Sequence, residues 1–358
     1  MDLETTENFS ISWNPKAPYL IGIGFSHGNA RYWYLPLENP IIKWDAADLK
    51  TRWRHLVYPN SSNSQETDKK ASIPSTDWNH DGNLLATASR SGVVKIWTSE
   101  GVFFRNLEGH TGHIVGLNFS PNGSKLFTIG IDRKVIVWET STGKQIQVYY
   151  IRKVIDYHWF NDEIFAVTAE NGILILRVGE QKPMREIQTT DVNTIRFDRA
   201  ETACLAAGYD NSKVIIWQMN KSDPVTIFNG HKREVHTLRW SPKGQQIASI
   251  DYDNHIIVWK AFTAEIILNF THSETLNSIS FSPNGQCIAA TAYDGRIFVW
   301  NIESKIQIFN TSYKVQFYEI AWNCTGEWIA VAAPGYIAIA DLRQAIKAGQ
   351  EQQMKITK

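Results

Sequence analysis

Three cysteines in 358 residues, Cys204, Cys287 and Cys324, are too few and too widely spaced for a disulfide framework, and none form the close-set ligand pairs of a zinc site. Such usage points to a reducing compartment. Charge of one sign is lacking as well. The 36 basic side chains are balanced by 36 acidic ones, so no global field draws the chain to nucleic acid and no direct sequence-specific contact with it is expected, although a local basic patch stays open. No apolar run approaches the roughly 18 residues of a membrane span, and Met1 to Ser10 carry two Glu and one Asp where a signal peptide needs a basic start. An intracellular protein without a membrane span is the expectation. Helical patterns are missing apart from Leu342 to Gln350. There is no H-E-x-x-H, no phosphate-binding G-x-x-x-x-G-K-[ST] and no helix-opening G-x-G-x-x-G, so neither an enzyme nor a cofactor or metal site is expected.

Aromatic residues are what the chain has in excess: 14 Trp, 16 Phe and 13 Tyr, enough for a large core and incompatible with a disordered chain. They recur with a period. Trp33, Trp97, Trp138, Trp217, Trp259 and Trp300 each end a short β-branched run, and the steps from Trp97 to Trp138, Trp217 to Trp259 and Trp259 to Trp300 are 41, 42 and 41 residues. The 79-residue gap between Trp138 and Trp217 is two periods, with Leu176 in the missing slot, and Ala340 follows Trp300. A second ladder runs about 19 residues upstream: Trp13, Trp78, Phe119, Trp159, Phe197, Trp240, Phe281 and Trp322. Eight repeats result.

Each repeat reads as an alternating strand, a turn such as Ser120-Pro-Asn-Gly123, a small-residue strand, a second turn, a β-branched strand ending at the marker, and an outer strand such as Val225 to Phe228. Four strands per unit of about 40 residues, without helices, predict an all-β, eight-bladed propeller of four-stranded antiparallel blades. Residues 1–343 would form it as one domain, leaving 344–358 as a tail or ring-closing strand. Either Leu3 to Thr6 or Met354 to Thr357 could complete the last blade. The step from Trp33 to Trp97 is 64 residues, and the surplus within 36–74 includes a polar run from Tyr58 that is expected to be a mobile surface loop.

These repeats resemble the WD40 family. Gly109-His110 and Gly230-His231 match its Gly-His signature, and Asp132, Asp253 and Asp294 stand six residues before their Trp, where the family carries a turn aspartate. The resemblance implies buried hydrogen-bond tetrads: His231, Ser249, Asp253 and Trp259 in repeat six, His110, Asp132 and Trp138 in repeat three, Asp294 and Trp300 in repeat seven, with His272 at the same repeat position. None of the repeats ends in the Trp-Asp dipeptide, and His27 and Ser91 replace the turn aspartate in repeats one and two. The resemblance also implies a partner-binding top face. Tyr209, Tyr252 and Tyr293 are placed there as residues just before the turn-aspartate position; Glu234, His236, Asn277 and Tyr318 lie six or four residues before the upstream aromatic, and Arg90 completes the set. Four tyrosines on adjacent blades would form an aromatic crescent. The alternative is that each Tyr only packs over its own hairpin.

Two local motifs have plain explanations. Gly24-Phe-Ser26-His-Gly28 matches a nucleophile elbow, but Asn29 to Trp33 continues as a strand where a helix is required, so a hairpin turn is favoured. Leu49 to His55 interleaves bases with an aromatic, which suits nucleic-acid contact. An outer strand of blade one with charged edge residues Lys50, Arg52 and Arg54 is the favoured reading.

In order and detail the chain is similar to the C-terminal propeller of transducin β-like corepressor subunits, the group of ebi and its fungal relatives. Ile11 to Pro15, Ala30 to Trp33, Asp77 to Thr87, the Trp-less fourth repeat and Asp341-Leu-Arg343 carry the likeness. It implies a nuclear adaptor of a histone deacetylase complex that holds corepressor segments or histone tails, with the cytoplasm as alternative location. That family's LisH oligomerisation region is not seen here, so a monomer is expected. A generic WD40 scaffold or a ubiquitin-ligase substrate adaptor is the alternative function.

Overall fold

Alternating or fully apolar runs of about six residues, separated by turns rich in Gly, Asn and Ser, can satisfy their backbone groups and bury their side chains only as paired strands. The computed structural model describes residues 8–17, 20–25, 30–34, 41–43, 54–56, 75–89, 91–198, 202–313, 316–333 and 336–348, and nearly all its regular structure is strand. It is an all-β propeller with four-stranded antiparallel blades. The chain divides into two compact units, 1–151 with 330–340 and 152–329 with 341–358.

In the first unit, β1 (Asn8–Trp13), β2 (Leu20–Phe25), β3 (Ala30–Tyr34) and β5 (Arg54–Leu56) form one sheet, and β4 (Ile41–Lys43) leaves it. Two blades follow. One has β6 to β9 at Ser75–Trp78, Leu84–Ala88, Val93–Thr98 and Phe103–Glu108; the next has β10 to β13 at Ile114–Phe119, Lys125–Gly130, Lys134–Glu139 and Gln145–Tyr150. The second unit carries four: β14 to β17 (Tyr157–Trp159, Ile164–Ala169, Gly172–Arg177, Arg185–Gln188), β18 to β21 (Val192–Phe197, Cys204–Tyr209, Val214–Gln218, Pro224–Phe228), β22 to β25 (Val235–Trp240, Gln246–Asp251, His255–Lys260, Ile266–Thr271) and β26 to β29 (Leu276–Phe281, Cys287–Ala292, Arg296–Asn301, Gln307–Ser312).

The expectation of eight blades is corrected to seven, each of the seven drawn from a single stretch of chain. The last repeat supplies only β30 (Glu319–Trp322), β31 (Trp328–Ala333) and β32 (Tyr336–Asp341), and these do not make a blade of their own. Their sheet is completed by β4, whose Ile41, Ile42 and Lys43 pair antiparallel with Ala340, Ile339 and Ala338 of β32. Part of the surplus between Trp33 and Trp97 is therefore strand. Leu3 to Thr6, Met354 to Thr357 and the polar run from Tyr58 lie outside the described residues. Of the basic segment, Arg54 to Leu56 is the fourth strand of the first sheet, paired with Tyr32, Arg31 and Ala30. Residues 343–348 form a short helical turn.

The core lies between adjacent blades. Ile250, Ile256 and Val258 of one blade pack with Leu276, Ile279, Ile288 and Trp300 of the next, and the same interleaving recurs at Ile96 with Leu117 and at Ile216 with Leu238. Central strands are therefore buried on both faces, as Val135 to Trp138 shows, whereas outer strands such as β13 are largely exposed, with Tyr149 its single buried residue. The upstream ladder has a polar role too. Trp78 Nε1 donates to Ser12 O (3.1 Å), Trp240 to Arg196 O (2.8 Å) and Trp322 to Ser280 O (3.0 Å), each reaching the inner strand of the preceding blade. Phe119 and Phe197 have no such donor; there the tie is their own N–H, given to Asp77 Oδ2 (2.9 Å) and His158 Nδ1 (3.2 Å).

Candidate functional site

In repeat three the sequence brings four side chains into one chain of hydrogen bonds. Trp138 Nε1 donates to Thr128 Oγ1 at 2.8 Å, Thr128 Oγ1 lies 2.8 Å from His110 Nε2, and His110 Nδ1 lies 3.0 Å from Asp132 Oδ1. An ionised carboxylate only accepts, so Nδ1 carries the ring proton and Nε2 accepts from the threonine. Burial drives the His110 pKa down, which keeps the imidazole neutral. Burial works the other way on Asp132, but hydrogen bonds from Thr111 N–H and His110 outweigh it and hold the carboxyl below its ordinary range.

Repeat six makes the same chain with one substitution. Trp259 Nε1 donates to Ser249 Oγ (3.2 Å), which lies 2.6 Å from His231 Nε2, but His231 Nδ1 meets Asp251 Oδ2 at 2.8 Å and not Asp253. The expected Asp253 contributes only its N–H, given to Asp251 Oδ1 at 3.0 Å. Strand register explains the exchange. Asp251 faces Val235 where Gly130 faces Ile114, so the two occupy one position. A Cβ at Gly130 would sit 2.5 Å from His110 Nδ1 and against Asp132 Oδ1, so glycine there leaves the space through which the turn aspartate reaches the histidine. With Asp251 in that space, Asp253 has no room. His255 Nδ1 also lies 3.1 Å from Asp251, whose pKa falls to about 2: burial would raise it, but the bonds from His231 and His255 prevail.

Tyr209 and Ala292 hold the same position in repeats five and seven. Tyr209 is therefore not a surface residue, a correction to its expected place on the binding face. It is 1% exposed and its hydroxyl accepts Trp217 Nε1 at 3.2 Å, standing in for the Ser or Thr that is replaced by Ala207. Burial raises its pKa. The slip is one residue: six positions before Trp217 is Asn211, so the residue preceding the turn position is Asp210. In repeat seven, His272 Nε2 meets Asp294 Oδ2 at 2.9 Å, and Ala290 stands where Thr128 and Ser249 do, so the network ends at that pair. Trp300 packs instead against Phe270, with ring centroids 4.7 Å apart.

The loop-bearing end of each blade presents three positions: the residue just ahead of the inner strand, the second residue of that strand, and the one at the hairpin between the middle strands. Ile131 N–H donates to His113 O (2.8 Å), Asp210 to Asp191 O (3.0 Å), Tyr252 to Glu234 O (3.1 Å) and Tyr293 to Thr275 O (2.8 Å), which proves the equivalence. Between them, each inner strand carries a one-residue bulge at Val115, Asn193, His236 and Asn277. Tyr252 is 57% exposed and Tyr293 38%. Tyr318 is half-buried, and its carbonyl accepts Asn277 Nδ2 at 2.8 Å. Glu234 pairs with Arg233 (3.1 Å), and the ring of His236 lies 4.8 Å from that of Tyr252. Arg90 lies outside the described residues, as does Ser26; β3 follows Ser26 where a nucleophile elbow needs a helix. In repeat three, in the other compact unit, two of the three equivalent positions are apolar: Val115 is 49% and Ile131 61% exposed. Sequence reasoning passed over that pair, although the spacing that locates Tyr252 locates Ile131 equally.

Burial pushes the Cys287 thiol up to about 11 and raises that of Cys204, so both stay protonated. Among the described residues no group of three or more His, Cys, Asp or Glu is arranged to hold a metal ion, and no helix is long and apolar enough to cross a membrane.

Blades of four antiparallel strands, Gly-His loops and His-carboxylate-hydroxyl-Trp networks define a WD-repeat β-propeller. Residues 74–311, more than half of the chain, match the family model described as "Nucleolar protein 10-like, N-terminal domain", and the chain belongs to that propeller family. It is also homologous to the F-box-like/WD repeat-containing protein TBL1X of Mus musculus, 30% identical over 198 residues that cover 54% of this chain and 36% of that protein. The transcriptional corepressor LEUNIG_HOMOLOG of Arabidopsis thaliana is 26% identical over 206 residues, 55% of this chain and 25% of the relative. The chain thus matches about a third or less of the length of these relatives. Among solved structures, the C-terminal WD40 domain of Sif2 superposes with a TM-score of 0.78 at 18% identity, covering 95% of this chain and 97% of that one; this shows the fold.

Proposed function

We propose that this protein is a non-catalytic interaction scaffold of a transcriptional corepressor assembly, acting in the nucleus and holding an extended protein segment on the face formed by Tyr252, Tyr293, Tyr318 and the bulge residues beside them. The observation that carries this is the exposure of Tyr252 and Tyr293 on neighbouring blades, where a buried packing role would have hidden them. Tyrosine supplies contact area and a hydrogen-bonding tip at low entropic cost, which is why it anchors interfaces. Relatives described as a transcriptional corepressor and as an F-box-like/WD repeat protein support the cellular setting. A corepressor segment or a histone tail is the partner this reading names, and a histone deacetylase belongs to the complex.

Affinity purification from nuclear extract tests the setting. Recovery of a deacetylase with its corepressor is expected, and recovery of a cullin adaptor or of purely cytoplasmic proteins would favour a ubiquitin-ligase adaptor instead. The face is tested by the double variant Tyr252→Ala, Tyr293→Ala. Both rings are exposed, so capture should be lost while the melting temperature stays within a few degrees of the parent; unchanged capture refutes the assignment.

A further inference from the structure

The three complete inner-strand bulges of the second compact unit fall at Asn193, His236 and Asn277. Two of them tie their blade to the next. Asn193 Nδ2 donates to Val235 O at 3.3 Å, and Asn277 Nδ2 donates to Phe317 O and Tyr318 O, both at 2.8 Å. By the same geometry a side-chain amide at position 236 would reach the carbonyl of Leu276, which precedes the next bulge. Histidine stands there instead, and its Nε2 is buried with no hydrogen-bond partner. A buried nitrogen left unpaired destabilises the fold, so this site forgoes a bond that its neighbours make. Such local inconsistencies concentrate at functional sites.

The surroundings indicate what the nitrogen is for. Tyr252, the most exposed tyrosine of the proposed binding face, lies with its ring 4.8 Å from the His236 ring and tilted by 37°. A side chain so exposed has few contacts holding it and is free to swing aside. Burial lowers the His236 pKa to about 4, which keeps the imidazole neutral, so it would not attract a carboxylate as an imidazolium would. A neutral hydrogen-bonding group suits it, and the commonest one on an extended peptide is the main-chain amide.

We propose that His236 is a recognition residue of this face, its Nε2 kept unpaired for a main-chain amide of the bound peptide, with the neighbouring Tyr252 ring shifting aside to pack against the peptide that it anchors. This rests on the reading of the tyrosine face given above and assigns its polar specificity to one atom.

The test uses the full chain and short peptides selected on it from a phage-displayed library, titrated against the parent, His236→Asn, His236→Phe and the Tyr252→Ala, Tyr293→Ala pair. His236→Asn restores the inter-blade tie, so it should melt higher than the parent yet bind the selected peptide about tenfold more weakly, the loss of one well-placed hydrogen bond. His236→Phe keeps the ring without the nitrogen and should weaken binding to a similar degree. Unchanged affinity in both variants, or a lower melting temperature in His236→Asn, overturns the role of His236. Peptides that bind the tyrosine pair variant as well as the parent, or a selection that enriches none, would instead overturn the reading of the face and the proposal with it.

Discussion

Removing the Asp251 carboxylate separates the network the structure shows from the one the sequence spacing implies. Four donors converge on this side chain: His231 Nδ1 at 2.8 Å, the N–H groups of Asp253 and His255 at 3.0 Å each, and His255 Nδ1 at 3.1 Å, with neither His231 nor Asp251 side chain accessible to solvent. In Asp251→Ala the turn N–H groups turn to water, but the buried histidine nitrogen cannot. One lost bond to a buried charged acceptor, about 2 kcal/mol, and one orphaned buried donor, about 2 kcal/mol, give a destabilisation of about 4 kcal/mol. The descent of the Asp251 pKa from 3.8 to about 2 gives an independent figure of about 2 kcal/mol for the part that depends on ionisation. Asp251→Asn should cost less, since the amide can donate to Nδ1 while Nε2–H reverses its bond to Ser249. Asp253→Ala, whose side chain is outside the network, should stay within about 0.5 kcal/mol of the parent. Urea unfolding at neutral pH followed by tryptophan emission measures all three. A loss in Asp253→Ala equal to that in Asp251→Ala would refute the register argument. The pH dependence carries a sign: a depressed carboxyl contributes stability that is fully present above its unfolded pKa and lost as pH falls through its folded one, so parent and Asp251→Ala should converge between pH 3.8 and about 2.

Three further outcomes are expected. Gly130→Ala forces a Cβ onto His110 Nδ1 and Asp132 Oδ1 and should cost about 2 kcal/mol by parting them, seen as a drop in urea midpoint. Tyr209→Phe removes the acceptor of Trp217 Nε1 and should cost about 1–2 kcal/mol while leaving peptide capture unchanged, since the ring is not on the face. His236 is neutral in the fold with a lowered pKa, so the unfolded chain binds the extra proton and stability falls as pH drops from 6.5 towards about 4; His236→Asn should flatten that limb of an acid titration.

Local pattern made most of the fold legible. Val135 to Trp138 and Ile256 to Trp259 read as strands buried on both faces because β-branched continuity has one structural outcome at that length, and both are buried. The bulge residues His236 and Asn277 were located by counting back from Trp240 and Phe281, since the inner strand keeps a constant length. Counting failed at Tyr209 because the turn of repeat five is indexed one residue later, and side chains in a strand change face at every step. It failed at Asp253 because two carboxylates two residues apart can serve one histidine, and only the contents of the facing position decide between them. The orphaned nitrogen of His236 has no local signature at all.

The sequence by itself determined the period, the strand content and the two aromatic ladders, because these follow from burial and backbone pairing within about 40 residues. Tertiary structure alone decided that Ile41–Lys43 crosses to pair with Ala338–Ala340, that Asp251 displaces Asp253, and that His236 is left without the bond its neighbours make. Each of these depends on which groups from distant parts of the chain arrive at the same few ångströms, and no spacing along the chain encodes that.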